Sequence, residues 1–242
     1  MDAHTRDENP APAQDLHEAL RAARYALIQT VHAMSAVAGH RDHYTARHQR
    51  RAAMLALAVG RRLRLAAERI EGLYLGALVH DIGKIGIPNE LLTKPARLTA
   101  EEYALVKTHV QMGCDILDQV SLPWPIQTII GQHHERLDGS GYPNALSGDA
   151  IILEARIVAV ADVYQAMTDL RPYRAALGKQ AALRELERGA GRTFDSAVVG
   201  ALIEVLGEGP SDGDALWSRL EDDHAHTSTV VLPNALSAGR LE

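Results

Sequence analysis

One cysteine and one phenylalanine stand among 242 residues, and aromatic residues make up only 4% of the chain. A single thiol, Cys114, closes no internal bridge, so a disulfide scaffold is excluded. No apolar run approaches the ~20 residues of a membrane-spanning helix. The stretch 52–60 (AAMLALAVG), for example, ends at Arg61 and Arg62. The N-terminus (MDAHTRDENPAPAQD) has no apolar segment and does not read as a signal peptide, which suggests a cytoplasmic protein. Basic residues are not in excess. Lys and Arg number 25 against 31 Asp and Glu, a net charge of −6, which argues against a broad DNA-binding surface. A small anionic ligand stays compatible where positive charge is focused locally.

What is present is ordinary for a globular chain: 46% hydrophobic and 23% charged residues. The length suits one or two domains and a sizeable core. The unusual abundance is histidine, twelve in all.

The periodicity is helical throughout. Apolar residues at Leu16, Leu20, Ala23, Leu27, Val31, Met34 and Val37 predict a first helix, followed by helices over 42–63 and 66–81. Glycines and prolines make 82–98 a connection. Thr99 with Glu102 forms a capping-box signature and opens a helix to about 120. Helices are expected from Pro125 to His133, over 150–168, 179–189 and 195–206, with a loop at 137–148. The β-branched run 151–160 tempts a strand assignment, but its continuation through Tyr164 and Met167 favours a buried helix. The fold class is all-α. Residues 1–14 read as a flexible lead-in, 15–40 as an N-terminal helix, 41–208 as one domain, and 209–242 as an acidic, disordered tail.

Several of these helices carry a metal-capable side chain. His80 and Asp81 end one helix, with Lys84 three residues on. His133 and His134 end another. His48, His109 and Asp162 lie within others. Singly, each has a bland reading: a hydrogen-bonded core histidine, a polar helix end, an acid paired with an arginine. Together, seven N/O side chains exceed one four-coordinate site. They suggest two ions sharing a carboxylate, the arrangement that clamps both oxygens of an in-line phosphoryl displacement, with a bridging water as nucleophile.

The ordered motifs RDHYTARH (41–48), HDIGKIGIP (80–88), LTKPARLT (92–99), HHERLDGSGYP (133–143), ARIVAVADVY (155–164), RPYR (171–174) and GAGRTFD (189–195) resemble the HD-GYP domain, a subclass of the HD phosphohydrolases. The resemblance implies an all-helical HD-type domain with a buried two-metal site. The implied activity is hydrolysis of cyclic di-GMP to pGpG, and in some members on to GMP. It places His48, His80, Asp81 and Asp162 around one metal. Asp81 bridges to a second metal held by His109, His133 and His134. The metals are expected to be iron or manganese. Lys84 is implied at the reacting phosphate, Arg171 and Arg174 at phosphate and guanine. The loop of Gly141, Tyr142 and Pro143 is implied at the border of the site, with Tyr142 counted among the substrate-binding residues. That loop has been linked to GGDEF-domain partners, and its glycines and proline would equally shape a turn. A separate sensory or receiver protein, and a homodimer through the N-terminal helix, are further partner expectations.

The chain departs from the family pattern at a few positions. Tyr44 stands where some members carry a third-metal glutamate, so two ions are expected. Gln165 and Leu170 stand where aspartates are common, Ala145 where glycine is, and Ile152 where proline is. Gln165 and Leu170 motivate one alternative, a catalytically weak signalling module that binds cyclic di-GMP or a GGDEF partner; an HD hydrolase of another cyclic dinucleotide is a separate one. Tyr74, Tyr103 and Trp124 are expected to pack rather than stack on bases. The arginines at 47, 50, 51, 61, 62 and 64 are expected on a solvated face, with the upstream end near the site. His224 and His226 belong to the tail.

Overall fold

The computed structural model describes residues 11–41, 43–169, 177–208 and 217–220. Ten α-helices occur among them: α1 (Ala11–Arg41), α2 (His43–Arg62), α3 (Ala67–Val79), α4 (Asn89–Leu92), α5 (Ala100–Lys107), α6 (His109–Leu117), α7 (Ile126–Gln132), α8 (Leu153–Thr168), α9 (Lys179–Gly189) and α10 (Ser196–Gly207). Short 3-10 turns occupy Ile82–Gly86 and Gly148–Ala150. No strand forms among the described residues, only two isolated bridges. No helix of the described residues is long and apolar enough to cross a membrane.

The core forms around α3. Every residue from Glu71 to Val79 is buried, because the segment is apolar on nearly all sides and neighbours cover each face. Leu55 and Val59 of α2, Ile129 and Ile130 of α7, and Ile157 and Val158 of α8 complete the cluster. Full burial of each such side chain contributes about 1.5–3 kcal/mol. Glu71, an acid inside this core, accepts from Trp124 Nε1 at 3.1 Å and from Arg24 Nε at 3.0 Å. That pairing offsets the cost of burying its charge and ties α1 to α3. Trp124 and Tyr74 are buried, as expected of packing residues.

Several expected boundaries moved. The first helix begins at Ala11, inside the stretch 1–14 read as a flexible lead-in, and α3 ends at Val79 rather than 81. The single helix expected from Thr99 to about 120 is two helices. Its capping box is present, with Glu102 N donating to Thr99 Oγ1 at 3.2 Å and Thr99 N to Glu102 Oε2 at 2.8 Å. The break comes at Thr108, whose hydroxyl and backbone N–H both donate to the Leu105 carbonyl, at 2.7 and 3.1 Å. Such back-bonding draws the backbone off the i to i−4 pattern. The helix expected from residue 150 starts at Leu153, after the Gly148–Ala150 turn. The connection 82–98 also holds one 3-10 turn and α4.

Within the stretch read as a tail, residues 217–220 form a helical turn. Leu220 is buried in the core, Arg219 Nη2 donates to the Val205 carbonyl at 2.8 Å, and Trp217 faces the Arg51 guanidinium at 4.6 Å. The remainder of 209–242, including His224 and His226, and residues 1–10 lie outside the described residues. So do Leu170, Arg171 and Arg174.

Candidate metal centre

Three of the histidines are placed by one local device. His80 follows the last residue of α3, His133 follows the last residue of α7, and His109 starts α6 just after α5 ends. Carbonyls in a last helical turn lack an intrahelical N–H. Each ring supplies one: Nδ1 of His80, His109 and His133 lies 2.7 Å from the carbonyl oxygen of Ala77, Val106 and Ile130, three residues earlier in each case. A carbonyl oxygen can only accept, so Nδ1 is the donor and Nε2 of a neutral ring keeps its lone pair. The helix end therefore fixes the tautomer and points the free nitrogen inward.

These nitrogens converge on Asp81. His109 Nε2 is 3.2 Å and His133 Nε2 is 3.9 Å from Asp81 Oδ1, and His80 Nε2 is 3.4 Å from Oδ2. His80 Nε2 is also 3.8 Å from Asp162 Oδ1, which lies 2.9 Å from His48 Nε2. The ligand-capable atoms of Asp81, His109, His133 and His134 all lie within 4.8 Å of one another, as do those of His48, His80 and Asp162. All seven residues singled out in the sequence thus meet in two groups, with the two oxygens of Asp81 facing one group each.

The chemistry of this donor set fits a cation. Nε2 of His80, His109 and His133 and Oδ1 of Asp81 are buried without a hydrogen-bond partner. Acceptors confront acceptors, an arrangement that costs free energy unless positive charge lies between them. Imidazole with carboxylate is the donor mixture that suits zinc, iron or manganese.

The electrostatics keep four of the ligands, Asp81, Asp162, His133 and His134, in binding form. Burial opposes ionisation of Asp81, yet Lys84, His80 and His109 hold its carboxyl well below the usual range. Asp162 is likewise held low against burial, by His48, His80 and His134. Burial pushes His133 well below the ordinary imidazole value and His134 down to about 3. His80 runs the other way. Burial disfavours its charged form, but Asp81 and Asp162 together outweigh it. Lys84 Nζ donates to Asp81 Oδ2, directly at the centre.

The loop after α7 packs onto the same centre. Tyr142 stacks on His134, with ring centroids 4.6 Å apart and planes 25° apart. Burial first, then Tyr103 and the nearby carboxylates, raise the Tyr142 hydroxyl above its ordinary value. Glycine is required at 141: a Cβ there would lie 2.4 Å from Glu135 Cα and 2.5 Å from Arg136 N. The Tyr142–Pro143 peptide is cis.

Sequence reasoning missed the residue that fastens this loop. Glu135 is 2% exposed, and its two carboxylate oxygens accept from the backbone N–H groups of Asn144, at 2.7 Å, and Leu146, at 3.0 Å. Its signal in the sequence is an acid placed directly after the histidine pair and before a glycine-rich turn. Tyr103 packs at the surface, against this loop. It is 48% exposed, and its ring edge meets Tyr142 at 6.4 Å, with Lys107 Nζ 5.3 Å from the Tyr103 ring. Arg47 and Arg51 are not simply solvated. Both approach Asp169 Oδ1, at 3.5 and 3.3 Å, from either side of His48 on α2. Gln165, one turn after Asp162, is fully buried with neither side-chain polar atom hydrogen-bonded.

The HD domain family matches residues 32–198. The chain is 40% identical, over 72% of its length and 47% of the relative's, to the cyclic di-GMP phosphodiesterase response regulator RpfG of Xanthomonas campestris. It is 42% identical, over 60% of its length and 33% of the relative's, to the 3'3'-cGAMP-specific phosphodiesterase 1 of Vibrio cholerae. The chain thus spans a third to a half of the length of these relatives. A solved HDG"Y"P protein from Bdellovibrio bacteriovorus shares the fold, with a TM-score of 0.56 at 23% identity, over 66% of this chain and 51% of that one. The match over residues 32–198, which contains all seven clustered residues, shows that the chain belongs to the HD domain family.

Proposed function

We propose that the chain is a metal-dependent phosphodiesterase that hydrolyses cyclic di-GMP to pGpG, with GMP as a further product, on two divalent ions of iron or manganese. The observation that carries this reading is the pair of lone-pair-lined groups, Asp81 with His109, His133 and His134 and Asp162 with His48 and His80, linked where Asp81 Oδ2 comes within 3.4 Å of His80 Nε2. The names of the relatives supply the substrate class. His48, His80 and Asp162 would hold one ion, and His109, His133 and His134 the other, with Asp81 touching both. When bound, such ions polarise phosphoryl oxygens and acidify water.

The chain's own residues do the rest. The helix-end carbonyls of Ala77, Val106 and Ile130 fix the tautomer and orientation of three rings, as outer partners of metal ligands do. Lys84 brings an ammonium beside Asp81, where it would stabilise charge developing on the phosphoryl oxygens. Tyr142 fixes the His134 ring by stacking and borders the substrate. Arg171 and Arg174 belong to the same reading as phosphate and guanine contacts, since guanidinium forks suit both. So does a cytoplasmic location. Exposed Leu16, Leu20 and Val37 on α1 support a homodimer through that helix. A GGDEF-domain protein, docking at the loop of Gly141, Tyr142 and Pro143, and a separate sensory or receiver protein complete the proposed partners.

Metal-loaded protein incubated anaerobically with cyclic di-GMP tests this directly. Chromatography should reveal pGpG, and unchanged cyclic di-GMP with both ferrous and manganous protein would refute it. Gln165 favours a second reading. Its unbonded amide beside Asp162 gives that ligand no outer hydrogen bond from this position, consistent with a weakly active module that binds the dinucleotide or a partner. Tight cyclic di-GMP binding with negligible product would select that alternative. Faster turnover of 3'3'-cGAMP in side-by-side assays would select another dinucleotide.

A further inference from the structure

A cavity of about 430 Å³ lies between the loop of Gly141 and Tyr142 and the turn over 189–194. Its size falls in the range of small-molecule sites. His134 forms part of its wall, so it adjoins the metal centre. Three arginines line it, and two are already engaged. Arg136 Nη1 donates to the carbonyls of Glu135, at 2.8 Å, and His133, at 3.3 Å, with its guanidinium over the Phe194 ring at 5.2 Å. Arg188 pairs with Glu185. Arg192 is exposed, lies in the field of Asp138, and makes no side-chain hydrogen bond or salt bridge among the described residues. Tyr103, Tyr142 and Phe194 give the cavity aromatic walls.

An available guanidinium fork beside aromatic surface is a receptor for a planar base with two adjacent acceptors. Guanine offers O6 and N7 as such a pair, whereas adenine offers N7 beside the N6 amino donor, which opposes the donors of arginine. We propose that this cavity receives one guanine of the dinucleotide and that Arg192 reads its O6 and N7 edge. This rests on the cyclic di-GMP reading above and makes Arg192 a specificity-determining residue outside the metal ligands. A dinucleotide with two guanines could enter in either orientation, one with a single guanine in only one.

The test measures GMP and AMP binding to the manganese-loaded full chain by calorimetry. The two probes share a phosphate, so their ratio isolates the base. The parent should bind GMP about tenfold more tightly than AMP, the order of one bidentate contact. Arg192→Ala should bring the ratio close to one and leave AMP affinity unchanged. The turn survives this change, because it is closed by backbone bonds such as Arg192 N to Gly189 O at 3.1 Å. Arg192→Lys keeps the charge but loses the fork, and should also abolish the preference. Arg188→Ala should retain it. A parent with no preference, or a preference kept in Arg192→Ala or Arg192→Lys, would overturn the proposal. Turnover does not enter this readout. An inactive chain that still prefers GMP through Arg192 would refute the hydrolase and leave the cavity standing, and an active chain without the preference would do the reverse.

Discussion

Replacing Glu135 by glutamine changes one oxygen into an NH2 group and removes one charge. In the parent, the carboxylate accepts two backbone N–H bonds at 2.7 and 3.0 Å while almost fully buried. The glutamine oxygen can keep only one of these. Its amino group then faces the other N–H, donor against donor. Loss of one charge-assisted bond costs about 2 kcal/mol, and weakening of the other to a neutral bond about 1 kcal/mol more. The loop holding Tyr142 against His134 should therefore open more easily by about 3 kcal/mol, roughly a hundredfold in the open population. Amide hydrogen exchange at Asn144 and Leu146 reads this directly, since Glu135 is the acceptor for both. Protection of both amides should fall by that factor in Glu135→Gln, with exchange along α3 much less affected. Protection within about threefold of the parent would refute the assignment of Glu135 as the fastening of the loop.

Other outcomes follow from the same geometry. Gly83→Ala should destabilise the fold by about 3 kcal/mol in chemical denaturation, because its Cβ would sit 1.9 Å from the His109 carbonyl oxygen and 2.5 Å from Gly113 N, and both are backbone. A loss below about 1 kcal/mol would mean that the 82–86 turn shifts freely against α6. Lys84→Ala should keep its metals and lower kcat by about a hundredfold or more, the scale of one lost electrostatic contact to a developing charge. An unchanged kcat would remove Lys84 from the reaction. Glu154 is depressed below its ordinary value of 4.5 because, against burial, Arg69 Nε donates to it at 2.7 Å. The unfolded chain then binds this proton first, so the contribution is complete above about pH 4.5 and fades as pH falls through the lower folded value. Glu154→Gln should flatten the acid limb of stability against pH, and an unchanged limb would contradict the pairing.

The sequence carried the ligands better than it carried their supports. His80 and His133 were legible as helix-end histidines, because apolar periodicity locates helix ends and a metal needs N/O donors from several of them. The bond from each Nδ1 to the carbonyl three residues earlier was not legible, since it depends on side-chain rotation at the helix end. The Thr99–Glu102 capping box was readable because it is a local pattern of four residues. The break at Thr108 was not, because threonine is tolerated inside helices and only its back-bond to Leu105 ends α5. Glu135 was overlooked for a similar reason. Its partners lie nine and eleven residues downstream, across a turn whose path composition does not fix. Arg47 and Arg51 looked like a solvated face until the end of α8 brought Asp169 beside them.

The central claim is that Asp81 belongs to both groups of ligands. The most direct measurement is metal content per chain, determined anaerobically on the parent and on Asp81→Ala, with cyclic di-GMP turnover followed in the same samples. The account predicts two ions and pGpG formation for the parent, and loss of both ions and of turnover in Asp81→Ala, together with a lower melting temperature because bound metal stabilises the fold. Two ions retained in Asp81→Ala, or a parent holding a single ion at saturation, would contradict it.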